Sequence, residues 1–175
     1  MARDPHQPAS RWFQRLLSRL AFLLPGGYSV RPFLHRCRGV KIGQNVWISQ
    51  HVYIDEIHPE AVSIGSNSTI GLRTSIFSHF YWGSRRADGY VKPVCIEEEV
   101  FIGPHCVILP NVRIGKGSVI QAGTVVSRNV PPGVFWGNAP AGPLARTNTS
   151  LKSSTSYAEF LKGLRPFRKS DGKDS

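Results

Sequence analysis

The segment Ile96 to Pro131 divides without remainder into six six-residue units, IEEEVF, IGPHCV, ILPNVR, IGKGSV, IQAGTV and VSRNVP. Every unit opens on Ile or Val, and the fifth place carries Val100, Cys106, Val112, Ser118, Thr124 and Val130, all small or β-branched. A short fixed period leaves the chain few options, because no single unit can bury its own apolar residues. Neighbours must stack and share one core, so the spacing predicts a solenoid. The same period starts at Ile42 with IGQNVW, ISQHVY and IDEIHP, and after Glu60 to Ser63 it resumes as IGSNST, IGLRTS and IFSHFY. The fourteen residues from Trp82 to Cys95 then break it.

The flanks differ in charge. Residues 1–41 hold eight Lys or Arg against Asp4 alone, residues 42–146 hold eight against seven acids, and residues 147–175 hold six against three. The positive charge belongs to the ends and reads as surface association rather than as a property of the repeat. The repeat also lacks the basic stripe and interleaved aromatics of a nucleic-acid interface. Cys37, Cys95 and Cys106 form an odd, scattered set without metal-ligand spacing, which fits a reducing compartment. Cys106 falls at an inward repeat place and reads as a small core residue. Residues 1–27 lack the unbroken apolar run and cleavage site of a signal peptide, and no stretch is long enough to span a bilayer.

Ser10 is placed to cap a helix running on through Leu20, with Pro25 and Gly26 ending it. Trp12, Leu16, Leu20 and Leu23 share one face, with Arg11, Arg15 and Arg19 beside them. Such a helix reads first as a cap over the open end of the solenoid. A basic amphipathic helix is also fitted to an anionic membrane surface, and the two roles are compatible. The organisation expected is a leader over 1–41, a repeat domain over 42–146 with an excursion at 82–95, and a polar basic tail over 147–175. Within that tail Tyr157 to Leu164 reads as a short helix.

The run VFIGPHCVILPNVRIGKGSVIQAGTVVSRNVPPGVFWGNAPA resembles the C-terminal signature of hexapeptide-repeat acyltransferases. It is most similar to the sugar O-acetyltransferases of the maltose, galactoside, nodulation-factor and colanic-acid type, a resemblance that covers about residues 38–146. The resemblance implies an all-β, left-handed parallel β-helix of about four coils, with one hexapeptide on each of three faces. It also implies a homotrimer that moves an acetyl group from acetyl-CoA to a hydroxyl, with CoA in the groove between neighbouring prisms and no metal. Joined to the basic leader, it suggests a cytoplasmic enzyme working at the inner face of the membrane on a sugar or lipid-linked glycan of bacterial surface polysaccharide.

Attack of a weakly acidic alcohol on a thioester asks for a base, and His is the side chain suited near neutral pH. The family places its catalytic His at the end of a coil directly before an excursion, a position that Ser78-His79 matches. With insertions removed, positions eighteen apart stack, which puts His79 between Ile57 and Asn111. Asp55 and Glu56 share that corner one coil away, where a carboxylate either holds an acceptor hydroxyl or orients the imidazole. In the excursion, Trp82 and Arg85 suit a sugar ring and an anionic group, and packing on a neighbouring subunit is the other use of such a loop.

Pro104 and Ala122 lie on one column and match the family positions that meet the pantetheine arm, with Gly123 allowing close approach. Ser127 and Arg128 match the hydroxyl and basic residue beside the CoA phosphates. Arg146 offers a second cation, and Trp136 either stacks on adenine or plugs the end of the core. Two competing readings share the prism: a γ-type carbonic anhydrase, which needs converging histidines, and a non-catalytic scaffold.

Overall fold

The computed structural model describes residues 8–79, 91–137, 145–147 and 162–166. By its contacts the chain divides into a first unit, Met1–Asn138, and a second, Ala139–Ser175.

Short strands form where the last residue of each repeat meets the Ile or Val that opens the next. They are β1 (Lys41–Ile42), β2 (Trp47–Ile48), β3 (Tyr53–Ile54), β4 (Val62–Ile64), β5 (Thr69–Ile70), β6 (Ser75–Ile76) and β7 (Val94–Ile96). β8 (Phe101–Ile102), β9 (Val107–Ile108), β10 (Arg113–Ile114), β11 (Val119–Ile120), β12 (Val125–Val126) and β13 (Phe135–Trp136) follow. They build three parallel sheets in the orders β1-β4-β7-β10, β2-β5-β8-β11-β13 and β3-β6-β9-β12. Each strand from β4 to β12 thus pairs with the strand three places before it, β13 pairs with β11, and an isolated bridge of Val130 to Ile114 precedes β13. Three successive strands make one circuit of a three-faced parallel β-helix.

The period explains the core. From Ile48 to Val126 the residues opening the repeats are almost wholly buried, and so are the described fifth-place residues from Val46 to Val130 other than the half-buried His58. Of the four described hydroxyls there, three bond across to another coil, and Thr124 is the exception. Ser68 Oγ donates to the Glu97 carbonyl at 3.0 Å, Thr74 Oγ1 to the Gly103 carbonyl at 3.2 Å, and Ser118 Oγ to the Pro131 carbonyl at 2.7 Å. The fourth place turns most corners in the left-handed backbone region, as at Asn45, Asn67, His105 and Gly123, whose φ angles are 52°, 60°, 59° and 73°. Asn and Gly tolerate that conformation best, which accounts for their recurrence. The parallel ladder resumes at Val94, which pairs with Val62, so the excursion is shorter than the break in the sequence period through Cys95 suggested.

Two helices precede the solenoid, α1 (Pro8–Leu23) and α2 (Val30–Cys37). Ser10 is not the cap of α1, because the helix already starts at Pro8, whose fixed φ and missing N–H suit a first turn. The expected end at Pro25 and Gly26 holds, and Gly26 turns the chain with φ 100°. Helix α2 had no counterpart in the sequence reading.

The open edge of the first circuit is covered chiefly by α2 and the turn before it. Arg31 Nε donates to the Ile48 carbonyl at 2.6 Å, Arg36 Nε to that of Ile42 at 3.1 Å, and Arg38 Nη2 to those of Ile54 at 3.0 Å and Asp55 at 2.7 Å. One guanidinium therefore serves each face of the prism, at equivalent repeat positions. The Gly27 carbonyl accepts the Ile48 N–H at 2.9 Å on the same edge. Unpaired strand groups are thus satisfied by donors that cannot themselves propagate a sheet.

In the second unit β14 (Ala145–Thr147) and β15 (Leu164–Pro166) pair antiparallel. The expected helix over Tyr157 to Leu164 is corrected at its end, since of its described residues Lys162 and Gly163 are helical and Leu164 is already extended. Residues 157–161 lie outside the described residues.

Candidate active site

Asp55 follows β3 at the corner where the third face turns into the first, and its side chain is 0% exposed. Oδ1 accepts the N–H groups of Ile57 at 2.9 Å and His58 at 3.1 Å. Oδ2 accepts the Ser78 N–H at 2.8 Å and the His79 imidazole at 2.5 Å through Nδ1. Burial pushes the Asp55 pKa up, but the bonds from Ser78, His58, Ile57 and His79 outweigh it and hold the carboxyl below its ordinary value. An ionised carboxylate can only accept, so Nδ1 carries the proton and the neutral imidazole has its lone pair at Nε2. All four donors on the Asp55 carboxylate come from the chain itself, and the one from Nδ1 fixes the orientation of the His79 ring.

The corner is held from below by a residue that the sequence reading passed over. Arg38, 2% exposed, grips the carbonyls of Ile54 and Asp55, and its Nη1 donates to His35 Nδ1 at 2.9 Å. His35 is pushed down to about 3 by burial and by the charges of Arg38 and Arg31, so it is neutral in the fold. A base whose folded pKa lies below its unfolded value of 6.5 costs nothing above that pH, and stability falls as the pH drops from there toward 3. The slope expected from His35 is about 1.4 kcal/mol per pH unit. His35→Gln should flatten that part of a urea-unfolding series, and an unchanged slope would exclude His35 as its source.

Around this pair, Glu56 is half-buried and Asn111 is exposed in a left-handed turn (φ 67°). Asn111 shares the corner of His79 by register, because β6 and β9 align Ile76 with Ile108. The ring of His58 lies edge-on to that of His79, with centroids 5.9 Å apart. The excursion leaves and returns at this corner, since His79 bridges Val91 and the Lys92 N–H donates to the Ser78 carbonyl at 2.8 Å. Trp82 and Arg85 lie outside the described residues. His105 is exposed and occupies an ordinary repeat turn.

The second expected cluster lies along the corner between the second and third faces. Pro104 and Ala122 are stacked by the β8–β11 register, and the Gly123 N–H donates to the Pro104 carbonyl at 2.9 Å. Both side chains are exposed, and Leu72 continues the column one circuit earlier. Gly123 serves the turn through its φ of 73°, and nothing within 4 Å stands above it. Ser127 and Arg128 are exposed at the next face. Trp136 is partly buried against the core, and the Arg128 guanidinium lies 5.2 Å from the centre of its ring. Arg146 lies in β14 of the second unit.

Residues 96–128 match the model of the bacterial transferase hexapeptide, six repeats. That segment belongs to the hexapeptide transferase family. YvoF, a candidate acetyltransferase of Bacillus subtilis, is 40% identical over 101 residues, which are 58% of this chain and 57% of its own. The galactoside O-acetyltransferase of Escherichia coli is 31% identical over 129 residues, covering 61% of this chain and 64% of its own. The chain thus spans 57% and 64% of the lengths of these two relatives.

Among solved structures, a hexapeptide-repeat-containing acetyltransferase of Vibrio cholerae, VCA0836, complexed with acetyl coenzyme A, matches with a TM-score of 0.61 and 26% identity. That match covers 86% of this chain and 93% of the other. The hexapeptide segment contains Pro104, Ala122, Gly123, Ser127 and Arg128, whereas Asp55 and His79 precede it. Among the described residues no three His, Cys, Asp or Glu side chains converge as a metal site.

Proposed function

We propose that this protein is an acetyl-CoA-dependent O-acetyltransferase acting on a sugar hydroxyl, with His79 as general base. The observation that carries the reading is the buried Asp55–His79 pair, placed where the excursion leaves the repeat. The hexapeptide match and the likeness to an acetyltransferase complexed with acetyl coenzyme A support it.

Acetyl-CoA supplies the activated acetyl group when bound. The exposed, small-residue column of Pro104 and Ala122 suits its narrow arm, and Ser127 and Arg128 suit its phosphates. His79 Nε2 takes the proton of the acceptor hydroxyl as its oxygen attacks, and the proton then passes to the departing thiolate. Asp55 stabilises the imidazolium formed in between. Because the imidazole is buried, the acceptor reaches it only by displacing neighbouring groups. Trp82 and Arg85 remain the acceptor contacts that the excursion offers.

The left-handed sense and four complete coils belong to the same reading, and so does assembly as a homotrimer. In its support, Phe101, Val119 and Phe135 form an exposed apolar row on the second face. Light scattering should report three times the 19.4 kDa chain, and a monomer would exclude the trimer. We place the enzyme on the cytoplasmic side of the membrane, on glycan bound for the bacterial surface. Incubation of the full chain with acetyl-CoA and a panel of free, nucleotide-linked and lipid-linked sugars should yield an O-acetylated product. Free thiol released equally with and without every acceptor would overturn the reading.

A further inference from the structure

We propose that α1 is a docking face for an anionic phospholipid surface. Trp12, Phe13, Leu16, Leu20 and Leu23 are all exposed, Trp12 by 73% and Leu23 by 65%. At 3.6 residues per turn these five fall within an arc of about 100°. The side chains that hold the helix to the protein occupy a different arc: Leu17 and Ala21 are buried against Leu34 of α2, and Ser18 is buried beside them. The exposed stripe is therefore not the face used for packing, and the stripe and Arg15 and Arg19 beside it are left to solvent.

Charge names the occupant. The sequence contains no carboxylate between Asp4 and Asp55. Arg31, Arg36 and Arg38 are spent on the edge of the solenoid, so Arg15 and Arg19 are cations left over from the fold. A second copy docking symmetrically on the stripe would bring its own arginines alongside with no acid on either helix to answer them. An anionic lipid surface supplies the missing charge and takes the Trp, Phe and Leu side chains into its headgroup boundary. Among the described residues no helix is long and apolar enough to cross a membrane, so α1 lies along the surface. The inference is independent of the acetyl-transfer reading, because it concerns binding alone.

Co-sedimentation of the full chain with phosphatidylcholine vesicles, with and without phosphatidylglycerol, tests it. Binding should require the anionic lipid, weaken with salt, and fall at least about tenfold when Arg15 and Arg19 are both replaced by Glu. Trp12→Ser combined with Leu23→Ser should lower it comparably with no change in melting temperature, since both side chains are exposed. Equal binding to both vesicle types, or variants that bind like the wild type, would overturn the proposal. So would a Trp12→Ser, Leu23→Ser variant that binds vesicles normally but loses mass in light scattering, since the stripe would then be a contact between copies.

Discussion

Asp55→Asn should lower acetyl-transfer turnover by roughly two to four orders of magnitude while leaving CoA affinity unchanged. Asn keeps the shape of the side chain, yet its amide nitrogen can only donate. Four donors converge on the Asp55 carboxylate, from Ile57, His58, Ser78 and the His79 ring, so at least one meets another donor in the variant. If the amide turns its nitrogen toward the imidazole, the tautomer reverses and Nε2 holds the proton it should accept. The lost acceptor should also cost about 1–3 kcal/mol of stability, readable as a lower urea midpoint. Turnover within tenfold of wild type, in a variant whose midpoint has dropped, would mean that Asp55 holds the corner without serving the reaction.

Ala122→Trp should weaken CoA binding by two orders of magnitude or more, the result of placing an indole where a ligand's arm has to lie against the backbone. The position is exposed, stacked directly on Pro104, and belongs to neither core cluster, so the fold should survive. Calorimetric titration with CoA reads the effect, and an unchanged melting temperature separates it from misfolding. A variant that binds CoA as the wild type does would remove the column from the cofactor site. Arg128→Ala is the milder companion, because the guanidinium also lies over Trp136 and its loss uncovers part of the core.

The repeat was legible because its physics is local. An apolar residue at the first place, a small one at the fifth and a turn former at the fourth dictate inward, inward and corner positions wherever they recur. Stacking by eighteen residues likewise puts Pro104 on Ala122 and His79 beside the corner of Asp55 on the period alone. What the period could not reveal depends on residues outside it. Helix α2 carries no repeat, and the pairing of Arg31, Arg36 and Arg38 with carbonyls on three faces is a three-dimensional coincidence of spacing.

For the same reason the basic leader read as a single charged surface. In the structure it divides into arginines that close the solenoid and arginines that face water. A corner position likewise leaves open the burial of Asp55 and the four donors that converge on its carboxylate. Ser10 misled because a good capping residue is outranked by a proline two residues earlier. The contributions expected of Trp82 and Arg85 depend on the excursion and stand as proposals.

Removal of the acceptor proton by His79 can be read in single-turnover acetyl transfer by the His79→Ala variant. The wild type, His79→Ala and His105→Ala should be compared with enzyme in excess over acetyl-CoA, and CoA affinity measured for each. His79→Ala should lose roughly two to four orders of magnitude in rate at unchanged CoA affinity, and His105→Ala, a change at an exposed turn residue, should lose little. Near-normal transfer by His79→Ala, or a collapse in His105→Ala, would contradict that role of His79.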